Sequence, residues 1–265
     1  MNSSNIENII FIASGKGGVG KSMVATNLAI AMARNGFATG LFDADIFGPS
    51  VPLSMGMTNQ KPLVHTQGDK QVFEPLINFG VKMMSLGFLV APNDAVIWRG
   101  PAASNALTQM LEGTNWGALD YMVVDLPPGT SDIALTLSQK LPRARAIIVT
   151  SPQKMAVADA RKAARMFLND GIRIAISGVV ENMSWFTPAP HPGEKYYLFG
   201  KDGGKALADE LGVPLLAQIP LVDDVCEKSD EGKPVFTSAD KSLTTLFEKL
   251  AETLARPTPA SHADL

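Results

Sequence analysis

One glycine-rich stretch, Ser14 to Ser22, constrains the fold of this 265-residue chain more than any other feature. Its sequence, SGKGGVGKS, matches the pattern G-x-x-x-x-G-K-[ST] in full. A β-branched apolar run (8–13) precedes it, and a helical apolar pattern (22–35) follows it. In such a strand–loop–helix unit the backbone N–H groups turn toward phosphate oxygens and the helix N-terminus adds positive potential. The stretch therefore predicts a phosphate-binding loop.

The rest of the chain alternates between strand and helix patterns, which predicts an α/β fold with a mostly parallel central sheet and helices on both faces. Residues 55–90 are less regular, and we interpret them as an insertion or hairpin. We expect a single domain over 1–255 and a disordered tail at 256–265. Further strands are predicted at 38–45, 121–129, 144–151, 174–182 and 214–220, and further helices at 155–169 and 242–254.

Composition limits the classes of partner. The net charge of -3 favours neither nucleic acid nor an anionic membrane as the main partner. Cys226 is the only cysteine, so no disulfide can form within the chain and a reducing compartment is expected. The N-terminal apolar run lacks a basic segment before it and is too short to span a bilayer. We therefore expect a soluble, cytoplasmic protein.

Acidic residues end two of the predicted strands, where a phosphate loop needs a group that organises Mg²⁺. We expect Lys21 to neutralise the β- and γ-phosphates and Ser22 to ligate Mg²⁺. Asp125 is the best candidate for the Mg²⁺-organising acid. Asp45 is predicted to hold the attacking water or a metal-bound water. For Asp43 the sequence leaves open either that role or a structural hydrogen bond at the strand end.

The base of the nucleotide is indicated only weakly. Nothing resembles N-K-x-D, the usual guanine-binding motif, which favours adenine. Asn182 follows a strand at the carboxyl edge of the sheet, and its amide is either an adenine contact or a cap of that strand. The predicted nucleotide-binding residues are Gly15, Gly17, Gly18, Val19, Gly20, Lys21, Ser22, Met23 and Asn182.

Lys16 is a second lysine in a loop that needs only one. Side chains early in such a loop tend to face outward because the backbone faces the ligand. Lys16 is therefore expected either to reach the nucleotide of a second subunit, as an arginine finger does, or to be a solvated surface lysine.

An ordered set of segments gives the chain a family resemblance. The segments are GKGGVGKS, LFDADIFGPSVP, WRGP (98–101), DYMVVDLPPGTSD, VVENMSWF and GVPLLAQIPL. They resemble the Mrp/Nbp35 (ApbC-type) iron–sulfur cluster carriers, a branch of the deviant Walker A superfamily of P-loop ATPases that includes MinD and ParA. The resemblance extends from about residue 9 to residue 235.

The resemblance implies a P-loop NTPase fold and a face-to-face homodimer that binds ATP and Mg²⁺ and hydrolyses ATP slowly. In this arrangement Lys16 acts on the partner's nucleotide, and Asp132, after the second switch, couples nucleotide state to the interface. It also implies iron–sulfur clusters as cargo, with client apo-proteins or assembly factors as partners. The residues it assigns to nucleotide, water and Mg²⁺ are Lys21, Ser22, Asp45, Asp125 and Asn182.

The chain departs from the family pattern at one place. Cluster carriers usually have Cys-x-x-Cys shortly after the ENMS-x-F segment, where four thiolates of a dimer can bind one [4Fe–4S] cluster. Here residues 187–193 read TPAPHPG, without cysteine. Cys226, His191 or a partner could supply other ligands, the ATPase could serve another cargo, or cluster transfer could use a ligand set that the sequence does not identify. A packed Cys226 and a solvated His191 are the plain alternatives.

Four functions remain compatible with the sequence. The first is an ATP-driven homodimeric switch for iron–sulfur cluster assembly. The second is a MinD- or ParA-like positioning ATPase, although the closing helix (242–254) has balanced charge and disfavours membrane recruitment. The third is a carboxylate-activating synthetase, for which no acceptor pocket is evident. The fourth is a binding module with an inactive nucleotide site, which the intact motif residues disfavour.

Overall fold

A sheet of eight strands forms the centre of the protein, in a computed structural model that describes residues 5–68, 70–90, 100–238 and 241–256. The order of the strands across the sheet is β10-β9-β8-β1-β7-β2-β6-β5, and every neighbouring pair is parallel except β5 with β6. The strands are β1 (Ile6–Ser14), β2 (Thr39–Asp43), β3 (Val64–Gln67), β4 (Lys70–Phe73), β5 (Leu76–Asn78), β6 (Val81–Ser85), β7 (Leu119–Asp125), β8 (Arg145–Thr150), β9 (Ala175–Phe186) and β10 (Leu215–Leu221).

Helices cover both faces of this sheet, which confirms the predicted α/β class. Helices α1 and α8 pack on one face, and α3, α4, α5 and α6 pack mainly on the other. The helices are α1 (Lys21–Arg34), α2 (Val51–Ser54), α3 (Gly100–Gly113), α4 (Asp132–Lys140), α5 (Lys154–Leu168), α6 (Gly203–Leu211), α7 (Asp223–Asp230) and α8 (Lys241–Ala255).

The first strand shows why this sequence requires cover on both faces. Successive side chains of a strand point to opposite faces. Ile10 and Ile12 of β1 join the apolar cluster that contains α1 and α8, whereas Ile9 and Phe11 join the cluster of α3–α6. Both sets are buried, as expected for a central parallel strand.

Residues 55–90 follow the expectation only in part. A hairpin is present, since β3 and β4 pair antiparallel. However, β6 is a parallel strand of the main sheet beside β2, and β5 pairs with its outer edge. The run VKMMS contains only one β-branched residue, so its burial against α1 was not visible as a strand pattern. Strand β2 also ends earlier than predicted, at Asp43.

The structure bears on two further expectations, one about membrane-spanning helices and one about the C-terminal end of the chain. Among the described helices, none is both long and apolar enough to cross a bilayer. Helix α8 ends at Ala255, and residues 257–265 lie outside the described part of the chain. The domain limits of 1–255 and the disordered tail therefore stay predictions.

Candidate functional site

The glycine-rich loop connects β1 to α1 at the carboxyl edge of the sheet. Gly18 and Gly20 have φ values of 80° and 82°, in the left-handed region that favours glycine. Within the described chain, no backbone N–H group from Lys16 to Gly20 donates a hydrogen bond to a protein atom. Free N–H groups on a loop that leads into a helix N-terminus form a ready site for an anion such as phosphate.

Gly15 is required by the close approach of the loop to α5. A Cβ atom at Gly15 would lie 2.0 Å from the backbone carbonyl carbon of Asp159 and 2.1 Å from the backbone nitrogen of Ala160. These are backbone atoms of a helix and cannot move aside alone. By contrast, a Cβ atom at Gly17 would meet no atom within 4 Å.

We predict that Gly15→Ala lowers the free energy of unfolding by about 3 kcal/mol, because the added methyl group forces the loop away from α5. Urea unfolding of the nucleotide-free protein measures the change. Gly17→Ala is the matched control and is expected to change stability by less than about 1 kcal/mol. Equal effects of the two substitutions would contradict this packing argument.

Lys21 lies at the centre of the site and is buried. Its Nζ atom is 2.7 Å from Asp125 Oδ1 and 3.4 Å from Asp45 Oδ2. Burial alone would lower the pKa of Lys21, but the carboxylates of Asp125 and Asp45 raise the pKa above its ordinary value. The ammonium group therefore stays charged and joins the ends of β1, β2 and β7.

Asp43 has a structural set of contacts. It is 1% exposed and accepts hydrogen bonds from Ser85 Oγ (2.8 Å) and from the backbone N–H groups of Asp45 (3.1 Å) and Val51 (3.3 Å). Burial, with the nearby negative charge of Asp125, raises the pKa of Asp43 to about 7. These contacts orient the segment between β2 and α2, which carries Asp45. They match the structural hydrogen bond that the sequence left open for Asp43.

The carboxyl edge fits a magnesium ion. Asp125 is fully buried, and its Oδ2 atom has no hydrogen-bond partner within 3.5 Å among the described residues. Burial raises the pKa of Asp125, while Lys21 and the nearby Ser22 hydroxyl oppose that shift. The Ser22 hydroxyl lies 3.4 Å from Lys21 Nζ, so Ser22, Asp45 and Asp125 surround the same ammonium group. Oxygen donors of this kind suit Mg²⁺, which usually retains several waters.

Lys16 points away from this cluster. Its Nζ atom lies 3.4 Å from Gln153 Oε1, just before α5, and the residue is half-buried. Gln153 was not recognised in the sequence, because no motif indicates which residue lies beside an outward lysine.

Asn182 contacts the loop and is almost fully buried. Its Nδ2 atom donates a hydrogen bond to the Val19 carbonyl at 2.9 Å. The sequence predicted an adenine contact or a strand cap at this position, and neither interpretation included the loop backbone. Ser14 makes a similar contact that was also missed, since its Oγ atom donates to the Lys16 carbonyl at 3.0 Å.

The remaining predicted residues make no described contact with the cluster. Asp132 is exposed at the first position of α4. His191 is exposed in the loop after β9, with its Nδ1 atom 3.9 Å from Glu194 Oε1. Cys226 lies in α7, but its side chain is outside the described part of the structure, as are Trp98 and Arg99 of the WRGP segment. Among the described side chains, no group of three or more His, Cys, Asp or Glu residues is placed to hold a metal ion.

Comparison with known proteins agrees with this fold. The chain is 46% identical over 251 residues to an iron–sulfur cluster carrier protein of Synechocystis sp., which covers 93% of this chain and 70% of the relative. A nucleotide-binding protein of Archaeoglobus fulgidus, solved in complex with ADP, superposes with a TM-score of 0.73 at 35% identity and covers 87% of this chain and 88% of that one.

A more distant structure shares the fold alone. The cell division ATPase MinD of Pyrococcus furiosus matches with a TM-score of 0.63 at 23% identity, over 93% of this chain and 98% of that one.

The family model described as ParA, NUBPL iron-transfer P-loop NTPase, matches residues 5–255. This match confirms the resemblance seen in the ordered sequence segments. The chain therefore belongs to the ParA family of NUBPL iron-transfer P-loop NTPases.

Proposed function

We propose that this protein is an ATP-hydrolysing homodimeric switch that carries iron–sulfur clusters or assists their assembly. The observation that carries the ATPase part is the position of Lys21 Nζ, 2.7 Å from Asp125 and 3.4 Å from Asp45, beside a loop whose N–H groups are free. This arrangement supports the proposal, because a buried cation beside the loop can neutralise phosphates and the nearby carboxylates can hold a metal and a water. A cytoplasmic location is part of this proposal.

The proposed reaction is hydrolysis of ATP to ADP and phosphate. A water oxygen forms a bond to the γ-phosphorus, the bond between that phosphorus and the β,γ-bridging oxygen breaks, and the proton of the water leaves with the products. Asp45 orients the water and Lys21 neutralises charge on the phosphates. Ser22, Asp45 and Asp125 would hold Mg²⁺, which supplies further neutralisation of the phosphate charge when bound.

The homodimer is supported by what surrounds Lys16. Gly17 and Gly18 are exposed beside it, and Met155, two residues after its partner Gln153, is 77% exposed. Phe47, two residues after Asp45, is a second large apolar side chain that is 68% exposed. Exposed apolar side chains close along the chain to residues of this site suit a protein partner more than water. We propose that the partner is a second copy, whose ATP Lys16 contacts.

The cargo is inferred from the relatives. The name of the Synechocystis relative describes an iron–sulfur cluster carrier, whereas the similarity to MinD shows the fold alone. A positioning ATPase is therefore not favoured. Because residues 187–193 contain no cysteine, we propose that the cluster is held by ligands other than a Cys-x-x-Cys pair. Client apo-proteins or assembly factors would then receive or supply it.

Anaerobic reconstitution with iron and sulfide tests the cargo. We expect the wild-type protein to gain an absorbance band of a cluster and to transfer the cluster to an apo-ferredoxin, more readily in one nucleotide state than in another. Iron and sulfide analysis per dimer measures the loading.

Cys226→Ser is the matched variant, since it removes the only thiol of the chain. Loss of the band in this variant would identify Cys226 as a ligand, and retention would assign the ligands to other groups. Wild-type protein that remains colourless and free of iron, while it still hydrolyses ATP, would refute the carrier proposal without affecting the ATPase proposal.

A further inference from the structure

Two carbonyl groups of the loop between β1 and α1 are bound by side chains of the strands β1 and β9. Ser14 Oγ donates to the Lys16 carbonyl at 3.0 Å, and Asn182 Nδ2 donates to the Val19 carbonyl at 2.9 Å. Both side chains are buried, with 1% exposure for Ser14 and 3% for Asn182. These two carbonyls therefore face the protein and not the space where an anion would bind.

The direction of each carbonyl also determines the direction of an N–H group. A peptide unit is planar and trans, so its C=O and N–H bonds point in opposite directions. Binding the Lys16 carbonyl orients the N–H group of Gly17, and binding the Val19 carbonyl orients the N–H group of Gly20. Neither N–H group has a protein acceptor among the described residues. Both remain free to donate to phosphate oxygens.

Asn182 is itself held firmly. It lies in β9, which pairs with β8 on one side and β10 on the other. Its neighbour Glu181 is fully buried and accepts hydrogen bonds from the Gly204 N–H group and, at 2.9 Å, from Gln218 Nε2. The Asn182 amide also fills the space beside Gly20, where a Cβ atom would lie 2.1 Å from Nδ2. The loop therefore rests on a rigid support.

We propose that Asn182, together with Ser14, is a positioning residue that orients the loop N–H groups and so determines the affinity for the polyphosphate part of the nucleotide, whatever its base. This inference rests on the proposed nucleotide function. It is distinct from an adenine contact, because the bond to Val19 uses one of the two amide N–H groups of Asn182 and acts on the loop backbone, which serves the phosphates of any nucleotide. It predicts equal effects on all ligands that carry a triphosphate.

The test compares Asn182→Ala with the wild-type protein by calorimetry, using ATP, GTP and inorganic tripolyphosphate with Mg²⁺. Loss of one buried hydrogen bond is expected to weaken binding of all three ligands about tenfold. The ratio of ATP to GTP affinity should stay unchanged, and the KM for ATP should rise by the same factor while kcat changes little. Ser14→Ala is the second variant and should shift the same three affinities in the same direction.

Ser184→Ala is the matched control. Ser184 is also a buried residue of β9, and its Oγ atom donates to the Glu181 carbonyl at 2.9 Å without contacting the loop. Its ligand affinities should stay within about twofold of wild type. Thermal unfolding followed by circular dichroism shows whether each variant is folded.

Three results would overturn the positioning role. The first is unchanged tripolyphosphate affinity in folded Asn182→Ala and Ser14→Ala. The second is loss of ATP affinity alone in Asn182→Ala, which would assign the amide to the base. The third is an equal loss in Ser184→Ala, which would assign the effect to general destabilisation. A wild-type protein that binds no triphosphate would instead refute the proposed function itself.

Discussion

Lys16→Ala is expected to lower ATP turnover per site at least about a hundredfold, because a cation supplied across a subunit interface stabilises the charge on the transferred phosphoryl group. Affinity of a single protomer for ATP should change little, since Lys16 Nζ lies beside Gln153 and away from the cluster of Lys21, Asp45 and Asp125. Steady-state phosphate release and equilibrium titration of ATP measure the two quantities. Lys162→Ala, which removes an exposed lysine of α5, is the control and should leave turnover unchanged.

Mixing two inactive variants shows in which protomer Lys16 acts. Asp45→Asn preserves side-chain size and ATP binding but removes the carboxylate proposed to orient water. In a mixed dimer with Lys16→Ala, one site combines an intact Asp45 with the partner's intact lysine. About half of randomly assorted dimers are mixed and each has one complete site, so the mixture should regain about a quarter of wild-type activity.

Two outcomes would contradict the action of Lys16 on the partner's nucleotide. One is unchanged turnover in Lys16→Ala. The other is a mixture that remains inactive although sequential purification on two different affinity tags, one on each variant, recovers mixed dimers, because a lysine that serves its own site cannot be replaced by the partner's.

Lys21→Ala is expected to destabilise the nucleotide-free protein by about 3 kcal/mol at neutral pH, in addition to weakening ATP binding about a hundredfold. The substitution leaves the buried carboxylates of Asp125 and Asp45 without the ammonium group that lies 2.7 Å and 3.4 Å from them. Breaking a buried ion pair on one side costs more than the pair contributes, because an uncompensated charge remains. Urea unfolding in a chelator measures the change.

The pH dependence of this loss has a definite sign. Burial raises the pKa of Asp125 and raises that of Asp43 from 3.8 to about 7; Lys21 opposes both shifts, so its loss raises both pKa values further. Native carboxyl groups with raised pKa values bind protons more tightly than the unfolded chain does. The loss of stability relative to wild type should therefore become smaller as the pH falls from 7 toward 4, and larger as the pH rises through this range.

A second substitution separates charge from packing. Lys21→Ala combined with Asp125→Asn removes the uncompensated charge, so it should recover most of the lost stability without recovering ATP affinity. If Lys21→Ala is as stable as wild type and its stability depends on pH no more steeply than that of wild type between pH 4 and 7, the ion pairs do not stabilise the nucleotide-free state.

Local sequence was enough to determine the general plan of this protein. The glycine-rich loop after a β-branched run, with a helix after it, is a contiguous unit whose conformation depends on near neighbours along the chain. The same holds for the alternating strands and helices, which predicted the α/β class, and for the acids at the strand ends, which predicted that Asp45 and Asp125 share one edge of the sheet. The parallel arrangement then brings both within 3.4 Å of Lys21.

Only the tertiary structure determined how the loop is supported. Ser14 is adjacent to the loop, but Asn182 is 163 residues from Val19, and the contact depends on the order of strands that places β9 near β1. Gln153 meets Lys16 across 137 residues for the same reason. Strand β6 became part of the main sheet through burial against α1 and not through its own weak pattern. Hydrogen bonds and packing contacts between distant segments leave no periodic signal in the sequence, because each contact involves a single pair of residues that only the tertiary structure brings together.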